Sequence, residues 1–291
     1  MADDITTQLV TRLVREQFPQ WGDLAVEPVP RQGWDNRTFR LGDEMTVRLP
    51  SAPGYVPGVR REEASLALLD GRLPVRLPRV LARGEPSPAF DRPWSVRRWI
   101  PGTTLGDATV PDRIRVARRL GETLGAMHAA PTDGGPWAGA ASFHRGCHPS
   151  AYADEVQEYL EEPGCPIDPG LGREIWHDAM TSAWTRPGVW VHGDLAPGNV
   201  LVDDEGDLTA LIDLGQSGIG DPACDLVIAW TWCDADARRA LPDAVGLDVA
   251  TWRRARGWAL WKALATLTGE PGALAPEQRR SLTALLADPV V

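Results

Sequence analysis

Cysteine is scarce in this chain: the four cysteines, Cys147, Cys165, Cys224 and Cys233, include no C-x-x-C pair. No basic-then-apolar leader pattern opens the sequence either, so a reduced, cytoplasmic protein is the expectation. Cys147 with His144 and His148 makes a poor zinc set, because a single thiol in a Pro- and Gly-interrupted loop lacks ligating geometry. Long apolar runs are also missing. The longest, Leu226 to Trp232, is far too short to cross a bilayer. Positive charge is in deficit, with 30 basic against 40 acidic residues and a formal net charge of −10. That balance argues against a nucleic-acid or anionic-membrane partner and suits a cationic small molecule. No internal repeat is evident, the acidic residues lack the spacing of an EF-hand, and nothing implies a protein partner.

What is present is ordinary in bulk and specific in one place. Apolar residues make up 43% and charged residues 24% of the chain, which argues against disorder, and 291 residues suffice for one large bilobal unit or two domains. The specific place runs from Val189 to Val202 and on to Gly215. There Asp194, Asn199 and Asp213 stand on loops between apolar runs too short for buried helices but long enough for buried strands. Phosphoryl transfer needs a hard divalent cation bridging nucleotide phosphates, with ligands from a carboxylate and, where available, an amide oxygen. Asn199 and Asp213 can supply these. A separate carboxylate must orient the attacking hydroxyl and take its proton, and Asp194, five residues before Asn199, fits that need.

His192-Gly193-Asp194 followed by Asn199 resembles the H-x-D-x-x-x-x-N catalytic loop of the protein-kinase-like fold, and Asp213-Leu214-Gly215 resembles its D-F-G element. The H-G-D form, together with Gly220-Asp221-Pro222-Ala223-Cys224-Asp225-Leu226, is similar to the aminoglycoside phosphotransferase family. No A-P-E segment follows Asp213, so a peptide substrate is not expected. The resemblance implies an α+β bilobal fold: a small antiparallel-sheet N-lobe over residues 1–101 and a larger, mainly helical C-lobe over 102–291. It also makes Asp225 a structural brace of the second lobe. His192 reads as a buried hydrogen-bonding brace for the loop.

Residues Ile5 to Phe18 place Leu9, Val10, Leu13, Val14 and Phe18 on one helical face, stopped by Pro19. From Val26 to Leu49 the pattern is strand, turn, strand, turn, strand, with Gly42-Asp43 as a hairpin turn. The segment Gln32 to Thr38 takes the place of a phosphate-covering loop but has only one glycine, so it is not a G-x-G-x-x-G loop. Backbone amides and the side chains of Asn36 and Thr38 are its candidate phosphate contacts. Arg48 stands where the family usually has a strand lysine, retaining the charge with a different geometry. Glu62, on a helix from Val59 to Leu69, is its expected partner. Leu77 to Ala82 and Pro93 to Ile100 read as the last two strands, and the resemblance makes Arg98, Trp99 and Ile100 a hinge whose backbone would read the nucleotide base.

The second part begins with a helix from Pro111 to Ala129, ending in His128 as a capping group, and then a loop over Ala130 to Ala141. Helices follow over Pro149 to Glu162 and Leu171 to Trp184; the resemblance makes this insertion part of an acceptor pocket. The acidic set Asp154, Glu155, Glu158, Glu161 and Glu162 reads mainly as a solvated face. Trp252, Trp258 and Trp261, at helical spacing, read as core, with a pocket wall as the alternative. The whole implies a Mg²⁺-dependent kinase moving the γ-phosphate of ATP or GTP to a small-molecule hydroxyl, with an aminoglycoside-type antibiotic first among acceptors. A macrolide or metabolite kinase of the same fold, and a nucleotide-binding pseudokinase, are the alternatives.

Overall fold

A computed structural model describes residues 5–268 and 272–287. The first helix, α1 (Thr7–Gln17), starts where Thr6 accepts a hydrogen bond from the Leu9 N–H at 3.2 Å and ends before Pro19. Its buried face of Val10, Leu13 and Val14 covers one side of a five-stranded sheet. That sheet comprises β1 (Val26–Pro28), β2 (Asn36–Leu41), β3 (Met45–Pro50) and, after α2 (Val56–Leu69), β4 (Val80–Gly84) and β5 (Trp94–Arg98). Every pairing is antiparallel, in the order β1-β2-β3-β5-β4.

Strand alternation gives this sheet two chemically different faces. Phe39, Leu41, Val47, Leu49, Trp94 and Val96 pack with α1 in an apolar cluster. The opposite face carries Thr38, Arg48, Ser95, Thr46 and Arg97, set beside one another by the register Thr38↔Arg48, Arg48↔Ser95 and Thr46↔Arg97. A row of guanidinium groups on a sheet face demands buried carboxylates, and α2 supplies one.

The remainder is mainly helical. A two-residue strand, β6 (Thr103–Thr104), leads to α3 (Arg113–Ala129), and α4 (Ala153–Glu161) and α5 (Pro169–Met180) follow. Four short strands come next: β7 (Val189–Val191), β8 (Val200–Val202), β9 (Leu208–Leu211) and β10 (Gly218–Gly220). β10 pairs with β7, and β8 lies between β6 and β9. These two small sheets bring residues 192–199 and 212–217 side by side. The chain then runs through α6 (Ile228–Thr231), α7 (Ala235–Val245), α8 (Val249–Leu267) and α9 (Ala275–Ala287). Among the described residues no helix is long and apolar enough to cross a membrane.

Several expected boundaries move for identifiable reasons. α2 begins three residues early because Pro57 suits a first helical turn. Residues 149–152 form a 3₁₀ turn ahead of α4. α5 starts at Pro169, where Asp168 accepts from the Leu171 N–H at 3.0 Å. His128 is not a cap: its Nε2 is buried without a hydrogen-bond partner, and burial pushes its pKa down to about 4.

α8 is buried on every side, through Trp252, Ala255, Trp258, Leu260 and Leu264, so it is an interior helix rather than an amphipathic surface one. Trp230 meets Trp252 edge-on at 6.1 Å, a core contact. Arg254, 1% exposed, forms a two-point ion pair with Asp221, Nε–Oδ2 at 2.7 Å and Nη2–Oδ1 at 3.2 Å. This pair fixes α8 against the segment that follows β10. Removing one partner leaves an uncompensated buried charge, so Arg254→Met should lower the unfolding free energy by about 3 kcal/mol or more in urea titration. A loss below about 1 kcal/mol would show that the pair does not hold the helix.

Candidate active site

The loop after β7 is built around one buried carboxylate. Asp225 Oδ2 accepts from the His192 N–H at 2.7 Å and Oδ1 from the Gly193 N–H at 2.8 Å. The His192 ring is fully buried, with Nε2 at 3.0 Å from the Ile212 carbonyl and Nδ1 accepting from the Asp194 N–H at 3.3 Å. Both contacts are met by the neutral tautomer protonated at Nε2, so His192 ties its own loop to the next one. Gly193 has φ +85°, and a Cβ there would lie 2.3 Å from the Gln216 carbonyl oxygen. Only glycine fits between these loops. The arrangement turns Asp194 toward the cleft, and Asn199 donates through Nδ2 to the Asp194 carbonyl at 2.9 Å.

Asp213 sits at the start of a 3₁₀ turn in the left-handed region, φ +64°, a conformation aspartate tolerates better than most residues. Its carboxylate meets Arg48 of β3 in a short ion pair. The other arm of the Arg48 guanidinium reaches Glu62 of α2 at 3.5 Å. Glu62 is 1% exposed and takes two further partners: Arg97 of β5 at 2.9 Å and the Leu214 N–H at 3.2 Å. Burial opposes its ionisation, but Arg48 and Arg97 prevail and hold its pKa at about 2. Arg48, opposed likewise by burial, is held charged by Asp213 and Glu62. The fork of an arginine thus touches both carboxylates at once, which a single-point ammonium does less well.

The segment Gln32 to Thr38 folds over this cluster without a glycine-rich sequence. Gln32 closes it, accepting from the Thr38 N–H at 2.9 Å and donating to the Thr38 carbonyl at 2.9 Å. Thr38 lies opposite Arg48 in the ladder. Asn36, with its amide oxygen turned toward Arg48, accepts from Nη2 at 2.9 Å and Nε at 3.3 Å. Asp35, in the same segment, has its pKa pushed up to about 6 by burial and by the charges of Asp213 and Asp194, against a Gln216 hydrogen bond and Arg48.

The expected hinge is only partly available. The Arg98 N–H donates to the Arg79 carbonyl at 2.9 Å and the Trp99 N–H to the Glu44 carbonyl at 2.7 Å. The sheet edge therefore engages both amides, and neither is free to donate to a base. The Arg98 side chain pairs with Glu44 at the surface, and the Trp99 ring stacks under Arg40, 4.1 Å from centroid to Cζ. Ile100 packs with Leu201 and Ala210 in a small apolar cluster between the two parts of the chain.

On the other side of Asp194 stand groups with no counterpart in the motif. Lys262 of α8 places Nζ 3.2 Å from Asp194 Oδ1. Arg145 stacks over Trp261 at 4.4 Å and Trp258 at 5.2 Å. Burial pushes the Asp194 carboxyl up, and Lys262 first, then Arg145, overcome it to hold the group below its ordinary range. Trp258 is core and pocket wall at once, lining a narrow cleft with Asp194, Lys262 and Arg145. Of the acidic residues on and just after α4, Asp154, Glu158, Glu161 and Glu162 are exposed, and Glu155 accepts from Trp261 Nε1 at 3.0 Å. Sequence reasoning missed Lys262, Arg145, Arg97 and Asp35. Lys262 alone carried a visible signal, being the one lysine among 30 basic residues.

The donor set fits a hard divalent cation shared with a ligand. The Ile212 N–H donates to the Asn199 carbonyl at 2.9 Å, so Asn199 and Asp213 belong to adjoining strands of backbone. The loop holds the amide nitrogen of Asn199, leaving its oxygen as the end to present. One carboxylate and one amide oxygen is the supply Mg²⁺ asks of a protein when phosphates and water complete its shell. Among the described residues no group of three or more His, Cys, Asp or Glu is arranged to hold a metal alone. Cys147 joins no such group, and His148 is engaged by Ser150 at 2.8 Å and the Ser182 carbonyl at 2.9 Å.

Comparisons with known proteins agree with this geometry. The sequence model described as the phosphotransferase enzyme family matches residues 26–258. Among solved structures, the GDP complex of an aminoglycoside 2'-phosphotransferase-IIIa is 22% identical, covers 97% of this chain and 98% of its own, and superposes with a TM-score of 0.72. A macrolide 2'-phosphotransferase type I is 18% identical, with coverage of 97% and 96% and a TM-score of 0.65. A macrolide 2'-phosphotransferase from Brachybacterium faecium is 21% identical, with 98% coverage of each chain and a TM-score of 0.61. At these identities the likeness is one of fold, a kinase-like small sheet with a larger helical part. A search of curated proteins finds no match.

Two outcomes follow from the site's construction. Gly193→Ala combines a left-handed φ with a clash against Gln216, so it should cost at least about 2 kcal/mol of stability in urea unfolding; a change within about 0.5 kcal/mol would contradict the close approach. The folded-state pKa of Glu62, about 2, lies below the ordinary glutamate value of 4.5. Its contribution is therefore complete above pH 4.5 and lost as pH falls toward 2. The gap in unfolding free energy between wild type and Glu62→Gln should narrow by up to about 3 kcal/mol over that window. A gap that does not change with pH would show that Glu62 is not held ionised.

Proposed function

Since the chain belongs to the phosphotransferase enzyme family, we propose that it transfers the terminal phosphoryl group of ATP or GTP to a hydroxyl of a small-molecule antibiotic, with the aminoglycoside type first and the macrolide type second. The observation that carries this reading is the convergence of Asp194, Asn199 and Asp213 on one cleft beneath Arg48 and Glu62. In it, Asp194 orients the acceptor hydroxyl and takes its proton. The acceptor oxygen bonds to the terminal phosphorus, the bond to the bridging oxygen breaks, and a nucleoside diphosphate leaves.

Arg48, braced by Glu62, steadies the phosphates, and Asn36 and Thr38 lie in the segment that would cover them. Asn199 and Asp213 would hold Mg²⁺, which neutralises phosphate charge when bound. Ile100 is the hinge position whose apolar packing suits the rim of a nucleotide base. In this reading residues 1–101 serve the nucleotide and 102–291 the catalytic loop and acceptor. Support for the donor comes from a kinase-like neighbour described as a GDP complex and from another described as a ternary complex with ATP and streptomycin. Four free cysteines are compatible with a cytoplasmic setting.

Purified protein incubated with Mg²⁺, ATP or GTP, and a panel of aminoglycosides and macrolides should yield an acceptor heavier by one phosphate. Nucleotide binding without transfer to any member would contradict the proposal. Asp194→Ala should lower kcat at least about 100-fold while nucleotide affinity stays within a few-fold; a variant with wild-type turnover would remove Asp194 from its role. Asp213→Ala should instead weaken Mg²⁺-dependent nucleotide binding, and unchanged binding would remove Asp213 from the metal set.

A further inference from the structure

Of the 30 basic residues one is a lysine, and its ammonium rests on Asp194. The carboxylates that share this part of the molecule with it pair with guanidinium groups: buried Glu62 meets two, half-buried Asp213 meets Arg48, and buried Asp221 meets Arg254. The exception falls at the carboxylate that must take a proton. We propose that Lys262 is a positioning residue of the transfer, pinning one oxygen of Asp194 and leaving the other open to the acceptor hydroxyl; this rests on the phosphotransfer reading above.

The physical reason lies in the shape of the two cations. A guanidinium presents a planar fork that engages both oxygens of a carboxylate, as Arg254 does with Asp221 at 2.7 and 3.2 Å. An ammonium is a point charge. Lys262 Nζ contacts Asp194 Oδ1 at 3.2 Å, and the nearest amide donor to Oδ2, Asn199 Nδ2, stands at 3.5 Å. Oδ2 thus keeps lone-pair capacity while the carboxylate as a whole is held still. The holding is firm at its base. Lys262 issues from α8, whose neighbouring turns carry Trp258, 1% exposed, and Arg254, locked to Asp221. The Lys262 side chain is itself only 19% exposed, so the ammonium has little room to leave Asp194 for solvent. A group placed from a rigid interior helix sets geometry better than one on a loop.

The role is tested with the full-length protein by two substitutions and one spectroscopic readout. Lys262→Met should lower kcat roughly 10- to 100-fold, with the KM for nucleotide changed less than about threefold, because positioning rather than nucleotide binding is lost. Lys262→Arg keeps the charge but caps both oxygens, and it too should lose about tenfold or more in kcat. An arginine variant with wild-type kcat would overturn the proposal. Reductive methylation with ¹³C-formaldehyde labels Lys262 and the terminal amine alone, and the charge is retained. The dimethyl-Lys262 signal should be displaced from that of free dimethyl-lysine and return to it in Asp194→Asn; a signal that does not respond to Asp194→Asn would also overturn the proposal. Absence of transfer by the wild type to every acceptor contradicts the underlying phosphotransfer reading, whereas normal transfer by Lys262→Arg removes only the role of Lys262.

Discussion

Glu62 is the constraint on which the cleft depends. It is a carboxylate 1% exposed, set between two arginines from neighbouring strands and one backbone amide from the far part of the chain. Burying a lone carboxylate is prohibitive, and burying it with Arg48, Arg97 and the Leu214 N–H around it is tolerable only if all three stay in place. That condition couples the sheet, α2 and the Asp213 turn. Ser65 and Ser217 reinforce the same contact with a 2.6 Å hydrogen bond between their hydroxyls. A buried carboxylate that must keep three partners makes the cleft a fixed distance rather than an adjustable gap.

A second carboxylate, Asp225, does for the loop after β7 what Glu62 does between the two parts. Its two oxygens receive the amides of His192 and Gly193, and the His192 ring passes the constraint to Ile212. Asp194 and Asp213 therefore face the cleft from loops whose backbones are braced from behind. They are treated differently in front. Asp213 is matched by the broad fork of Arg48, whereas Asp194 is touched by the small ammonium of Lys262. In the proposed reaction the first carboxylate exchanges charge partners and the second must keep an oxygen open, and the choice of cation suits each.

What was legible in the sequence was local. The spacing of Asp194, Asn199 and Asp213 between apolar strands is a short-range pattern, and the strands β7 to β10 translate it directly into adjoining loops. The pairing of Arg48 with Glu62 spans fourteen residues and followed from register against the family. Arg97 escaped notice because it stands beside Arg98, and only the two-residue alternation of β5 decides which of the two points inward. Lys262 and Arg145 are 68 and 49 positions from Asp194, and nothing in a linear pattern announces such contacts. A family resemblance assigns hinge amides by position, while the hydrogen bonds of Trp99 to Glu44 and Arg98 to Arg79 are a property of how this sheet edge closes. His128 looked like a cap by its place at a helix end, and its Nε2 proved to be buried without a hydrogen-bond partner.

The central claim is that Glu62, through Arg48, holds the nucleotide side of the cleft in working shape. Calorimetric titration of Mg²⁺ with ATP or GTP into wild type and Glu62→Ala tests it directly, provided circular dichroism shows both folded. The account predicts a loss of nucleotide affinity of about tenfold or more, since Arg48 would then lose the α2 carboxylate that braces it from behind and keep only its partners on the cleft side. Equal affinities in the two folded proteins would contradict it.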